Sequence, residues 1–140
     1  MALGKQQKTP FKTSLKGVLG GVMDKNCIFC TIPKEERIIE TSLWLARKDK
    51  FPVTNGHTLI IPARHVSNVD DLTAEEWSTL FPLIVKFSGG GDFNVGINRG
   101  PLAGQTVFHV HVHVFPRTVG DVPNPRGGIR NFKPSLVPYI

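Results

Sequence analysis

The chain has 140 residues, 40% hydrophobic and 20% charged, with two cysteines and a formal net charge of +6. That length suits one domain able to bury its own core, and the apolar share excludes an intrinsically disordered chain. No apolar run approaches the roughly 18–20 residues of a membrane span, and the opening segment lacks the apolar stretch of a secretory signal, so a soluble, cytoplasmic protein is expected.

Residues 1–26 carry Lys5, Lys8, Lys12, Lys16 and Lys25 against the single acid Asp24. They read as a basic, flexible N-terminal extension. A solvated tail is favoured there over an RNA-, membrane-surface- or partner-binding arm, and Gly17, Gly20 and Gly21 weaken an amphipathic-helix reading. The overall positive charge suits a phosphate-bearing partner. A domain is expected over residues 27–130, followed by a C-terminal tail at 131–140. It opens on Cys27-Ile-Phe-Cys30, which is either half of a metal site or a redox pair. Two ligands do not fill a tetrahedral zinc shell, so a metal needs two more.

Arg37 to Lys48 reads as a strand running into a loop from Asp49 to Gly56, where Pro52 and Asn55-Gly56 are turn formers. His57 to Pro62 is a short β-rich run stopped by proline. Thr73-Ala-Glu-Glu76 is a capping box. It predicts a helix from Ala74 with Trp77, Leu80, Phe81 and Ile84 on one face and a kink or early end at Pro82. Ser88 to Gly91 is a flexible break. Phe93 to Asn98 and Thr106 to Phe115 read as two strands of an antiparallel pair, joined by the glycine- and proline-bearing loop Arg99 to Gln105. Beyond Pro116 the composition predicts mostly loop.

The second of these strands carries the chemistry. In Phe108-His109-Val110-His111-Val112-His113-Val114-Phe115 the alternation puts three histidines on one face and three valines on the other. The valine face is fit for a core. The histidine face has no packing advantage, yet it holds three of the five histidines in the chain. Neutral imidazole binds metals, and it also serves as a nucleophile at phosphorus. Just upstream, Gly104-Gln-Thr106 offers backbone N–H groups and a hydroxyl to phosphate oxygens.

His109-Val-His111-Val-His113-Val-Phe115 resembles the signature of the histidine triad (HIT) superfamily. So do Ala103-Gly-Gln-Thr-Val107 before it, Pro116-Arg117 with Gly120-Asp121 after it, and Cys27-Ile-Phe-Cys30, Asn55-Gly-His-Thr-Leu-Ile-Ile-Pro62 and Arg64-His65-Val66 upstream. The likeness is greatest to small bacterial HIT proteins and to diadenosine polyphosphate hydrolases. It implies that His111 attacks the α-phosphorus, that His113 contacts the phosphate or bridging oxygen, and that the backbone carbonyl of His109 orients His111. It also implies that Gly104, Gln105, Thr106 and Asn98 line the phosphate site, that Asp49 holds the ribose hydroxyls, and that His57 plays a supporting part. By the same resemblance a structural zinc is bound by Cys27, Cys30, His65 and His109. Arg117 and Arg126 are weaker candidates for phosphate. The stretch between Thr73 and Phe93 is short for that family.

The expected fold is therefore α+β: a HIT-like antiparallel half-barrel sheet with one packed helix, paired as a homodimer. The expected activity is hydrolysis of adenosine (poly)phosphate or phosphoramidate derivatives through a nucleotidyl-histidine. The competing readings are a phosphorylase that passes the nucleotidyl group to phosphate, and a non-catalytic zinc- and nucleotide-binding module.

Overall fold

The computed structural model describes residues 23–132, so the basic extension up to residue 22 and the tail from 133 lie outside the described residues. Five strands and one helix make up the domain: β1 (Ile39–Glu40), β2 (Trp44–Lys48), β3 (Thr58–Pro62), α1 (Ala74–Phe87), β4 (Phe93–Ile97) and β5 (Val112–Pro116). The strands form an open antiparallel sheet in the order β1-β2-β3-β5-β4, as the α+β reading anticipates. The expected pairing of the two late strands is present, with Val95 opposite Val114 and Gly96 opposite His113.

Alternation sorts the sheet into two faces. Trp44, Ala46, Ile60, Val112 and Val114 point to one side and form the main core with Leu80 and Ile84 of the helix. Leu59 and Ile61 point to the other, where Phe29 and Ile32 cover them. The indole N–H of Trp44 donates to the Thr79 hydroxyl at 2.9 Å, tying helix to sheet.

The helix begins as the capping box requires. The Glu76 N–H donates to Thr73 Oγ1, and the Thr73 N–H donates to Glu76 Oε1. Glu76 is only 1% exposed, and the guanidinium of Arg64 compensates its buried charge with hydrogen bonds to both carboxylate oxygens.

Four local expectations need correction. The segment Arg37 to Lys48 is a hairpin rather than one strand, because Thr41 Oγ1 accepts the N–H groups of Leu43 and Trp44 and turns the chain. Of the two outcomes expected at Pro82, the early end does not occur: the helix passes through Pro82 to Phe87. The proline lies on the exposed side, where water can satisfy the carbonyl it leaves unpaired. Trp77 and Phe81 do not share the buried face of Leu80 and Ile84; they are 46% and 64% exposed, and the inner stripe runs instead through Glu76, Leu80, Leu83, Ile84 and Phe87. The last strand starts at Val112, not Thr106. Pro62, at the end of the neighbouring strand, has no N–H with which to extend the ladder, and the Val110 N–H turns instead to the Val66 carbonyl.

Candidate active site and metal centre

All five histidines of the chain gather along the sheet face opposite the helix, in two clusters with His111 between them. The first cluster joins Cys27, Cys30, His65 and His109, whose ligand atoms all lie within 4.8 Å of one another. The CxxC segment is folded into a turn by the Cys30 N–H donating to the Cys27 carbonyl. Cys27 Sγ lies 3.4 Å from His109 Nδ1, and Cys30 Sγ lies 3.2 Å from His65 Nδ1 and 3.5 Å from His109 Nδ1. A tetrahedral zinc with ordinary Zn–S and Zn–N bonds has S···N edges of about 3.5 Å, so the spacing fits. The second nitrogen fits as well. His109 Nε2 is 2.9 Å from the Pro62 carbonyl and must be its donor, which leaves Nδ1 as a lone pair facing the thiols. His109 is fully buried, and burial first, then the neighbouring His65, His111 and Arg64, push its pKa down to about 4. Such a neutral imidazole suits a metal ligand. Burial pushes the Cys30 thiol up in the absence of metal.

His109 also sets the state of His111. Its carbonyl accepts from His111 Nδ1 at 2.9 Å. The His111 proton is thereby held on Nδ1, and the Nε2 lone pair is left free on the cleft side. Phe29, from within the CxxC segment, packs edge-on against the His111 ring at 5.0 Å between centroids. His109 thus contributes its ring to the Cys/His cluster and its carbonyl to the candidate nucleophile.

The second cluster is Asp49, His57 and His113. The Val53 N–H donates to His57 Nδ1 at 3.1 Å. The proton of neutral His57 must then sit on Nε2, which lies 2.9 Å from His113 Nδ1 and 3.4 Å from Asp49 Oδ2. His113 Nδ1 is therefore an acceptor, and neutral His113 carries its proton on Nε2. Burial first, then the neighbouring His111 and His57, lowers the His113 pKa to about 4, and burial likewise lowers that of His57. At neutral pH both rings are uncharged. Phe115 stacks on His113 with an interplanar angle of 1°.

His111, His113, Thr106 and Asp49 line one cavity of about 520 Å³, enough for a mononucleotide-sized ligand. Thr106 is exposed and leaves its hydroxyl free to meet one. Gly104, in the left-handed conformation at φ +90°, closes the turn before it. The Gln105 side chain is engaged elsewhere: its amide donates to the carbonyls of Ser67 and Val107, and its oxygen accepts the Gly100 N–H. Here Gln105 braces the loop and has no free polar atom for phosphate. Asn98 is exposed on an adjacent cavity that it shares with Phe115 and Arg117. Arg117 is held by Asp121 through two hydrogen bonds and by Asn94 through a third.

Three features of the cleft escape a reading by motif. They are Arg47 and Glu36, which meet at the end opposite the histidines, and the Val53 amide behind His57. Arg47 had one visible signal, a charge at an inward position of an otherwise buried strand.

The chain is similar in sequence and in fold to known proteins. The HIT domain family model matches residues 32–120. An adenosine 5′-monophosphoramidase of Schizosaccharomyces pombe is 37% identical over 99 residues, covering 66% of this chain and 74% of that protein. An adenylylsulfatase of Arabidopsis thaliana is 32% identical over 115 residues, covering 74% of this chain and 58% of that longer protein. Among solved structures, a zinc-bound histidine triad family protein from Mycobacterium smegmatis superposes with a TM-score of 0.61 at 35% identity, covering 69% of this chain and 78% of that one.

Proposed function

Because the chain belongs to the HIT domain family, we propose that it is a nucleotide hydrolase acting at the α-phosphorus of adenosine phosphoramidate or polyphosphate derivatives. The observation that carries this reading is the opposed pair in the cleft: a lone pair on His111 Nε2 beside an N–H on His113 Nε2, each fixed by the hydrogen bond at the other ring nitrogen. Nucleophile and donor face the same cavity and need no rearrangement to act.

In this mechanism His111 Nε2 attacks phosphorus, a P–N bond forms and the bond to the leaving group breaks. A neutral imidazole is a hydrogen-bond donor rather than a strong acid, so His113 holds the oxygen on which charge develops. Water then attacks the nucleotidyl-histidine. The sum is nucleotidyl-X plus water giving the nucleoside monophosphate and HX. Asp49, on the same wall, is placed to accept hydrogen bonds from ribose hydroxyls. Zinc would be held by Cys27, Cys30, His65 and His109. A four-ligand shell leaves no open position, so its contribution is to fold and fix the start of the triad.

The named relatives support the substrate class, since one acts as a phosphoramidase and the other as an adenylylsulfatase. Chromatographic product analysis with adenosine 5′-phosphoramidate and diadenosine tetraphosphate tests the reading. AMP release by the wild type and none by His111→Ala is expected. No AMP from zinc-replete folded protein would sink it, and ADP formed only when phosphate is supplied would assign a phosphorylase instead. A homodimer is part of the proposal, on the ground that Trp77, Phe81 and Val85 form an exposed apolar stripe along α1. Analytical ultracentrifugation should show twice the monomer mass at micromolar concentration.

A further inference from the structure

The CxxC turn carries two sulfurs whose own chemistry the hydrolysis does not use. The Cys30 N–H donates to the Cys27 carbonyl at 3.1 Å, so the two residues are the ends of one tight turn, a span that suits a disulfide. Their sulfurs lie 3.4 and 3.5 Å from the same nitrogen, His109 Nδ1, and within 4.8 Å of each other. The two cysteines differ in access. Cys30 is 5% exposed. Cys27 is half-buried and, with His65, lines a second cavity of about 470 Å³. Asp24 and Asn26 at its mouth are exposed, so this cavity opens to water. Ile28, Thr106 and Val107 line both this cavity and the catalytic cleft, and so form the wall between them. A small oxidant therefore reaches Cys27 without crossing the nucleotide site and finds Cys30 behind it. An accessible sulfur beside a sheltered partner is the arrangement of a redox-sensing pair. Phe29 stands between the two cysteines, and its buried ring packs at 5.0 Å on His111 and 6.1 Å on His109.

We propose that Cys27 and Cys30 are a reversible redox pair, oxidised to a disulfide by hydrogen peroxide entering through the second cavity, and that the disulfide switches off His111 through Phe29. The Cys27 thiolate attacks one peroxide oxygen: an S–O bond forms, the O–O bond breaks and hydroxide leaves. The Cys30 thiolate then attacks Cys27 Sγ: the S–S bond forms, the S–O bond breaks and a second hydroxide leaves. Two thiolates give up two electrons in all, and the peroxide takes them. The disulfide draws the sulfurs to about 2 Å, which tightens the turn around Phe29 and shifts its ring on His111. Sulfurs joined to each other no longer serve as anionic metal ligands, so the disulfide and a metal at this cluster exclude one another. The effect on turnover rests on the hydrolase reading; formation of the disulfide does not.

The test treats the full-length protein with a small excess of hydrogen peroxide and follows mass, free thiols and turnover. Both thiols should disappear, the chain should become lighter by two hydrogens, and dithiothreitol should reverse both changes. The reference for turnover is the chain kept reduced and stripped of metal by a chelator, so that loss of metal is not mistaken for the switch. Below that reference, AMP release from adenosine 5′-phosphoramidate should fall roughly 10- to 100-fold in the oxidised chain, as for a reacting group displaced by about an ångström. Phe29→Leu should form the same disulfide, yet its oxidised and chelated forms should differ by less than about threefold, since its smaller side chain transmits less to His111. If Phe29→Leu does not fold, nitrogen NMR shifts of His111 in the wild type decide, with oxidation expected to move them beyond their values in the chelated, reduced chain. Thiols that persist, or that gain oxygen without forming a disulfide, would overturn the proposal. So would equal turnover of the oxidised and chelated wild type, or an undiminished drop in folded Phe29→Leu. Release of no AMP in any state would count against the hydrolase reading alone; the His111 shifts then decide the switch, and shifts unmoved by oxidation overturn it.

Discussion

His57 reaches the chemistry only through His113, and this makes its removal informative. In His57→Leu the 2.9 Å bond to His113 Nδ1 disappears, as does the N–H that fixed which nitrogen of His113 carries the proton. The His57 and His113 side chains are 2% and 19% exposed, so water replaces the lost partner poorly. An unpaired buried acceptor costs about 1–3 kcal/mol. His113 can regain a partner by turning its Nδ1 toward the cleft or by moving its proton, and either change withdraws the N–H from the phosphoryl oxygen. We expect a fall in single-turnover rate of about 10- to 100-fold for a penalty of that size. KM should change little, because His57 does not line the cavity. Nitrogen NMR shifts should report His113 protonated at Nε2 in the wild type and mixed in His57→Leu. His57→Gln, whose amide can donate to the same nitrogen, should recover part of the rate and of the tautomer. The relay is refuted if His57→Leu keeps a single Nε2–H form at an undiminished rate, or if Gln restores no more than Leu.

The pH dependence comes from the depressed pKa of His113, about 4 in the fold against 6.5 as its ordinary value. Between those values the unfolded chain binds the proton more readily, so stability rises with pH through that window and is level above it. Denaturant titrations at pH 7 and pH 4 should show the wild type losing about 3 kcal/mol more than His113→Gln. Metal analysis of purified protein should find one zinc per chain, and Cys27→Ser or Cys30→Ser should lower both zinc content and melting temperature. Because the His109 carbonyl holds His111, chelation should also slow turnover, with zinc restoring it. Glu76→Ala removes half of the capping box and the carboxylate partner of Arg64, which keeps only the Asp71 carbonyl, at a cost of about 3 kcal/mol by chemical denaturation. A loss below ~0.5 kcal/mol would mean that solvent already screens this pair.

Much of this protein was legible in one dimension. The period-two alternation of histidine and valine fixed which side of β5 is core and which is chemistry, because successive side chains of a strand leave on opposite faces. Thr73 and Glu76 marked the helix start because a capping box is closed within four residues. Strand and helix limits were less legible. The run from Thr106 looked like continuous strand, but its pairing depends on a neighbour that ends in Pro62. The outward turn of Trp77 and Phe81 depends on which side of α1 meets the sheet.

What only the tertiary structure decided is the state of each ring. Sequence placed His109, His111 and His113 in a row, yet one joins the Cys/His cluster, one presents a lone pair and one presents a proton. Those roles are set by the Pro62 carbonyl, the His109 carbonyl and the Val53–His57 pair. The same holds for Arg47 and Glu36, which meet only because β2 lies beside the turn at Lys34–Glu36. Alternation and caps are written locally, in the few residues that make them. A histidine tautomer or a cleft-end ion pair depends on partners brought from distant segments by strand register and loop path, so it exists only in the folded chain.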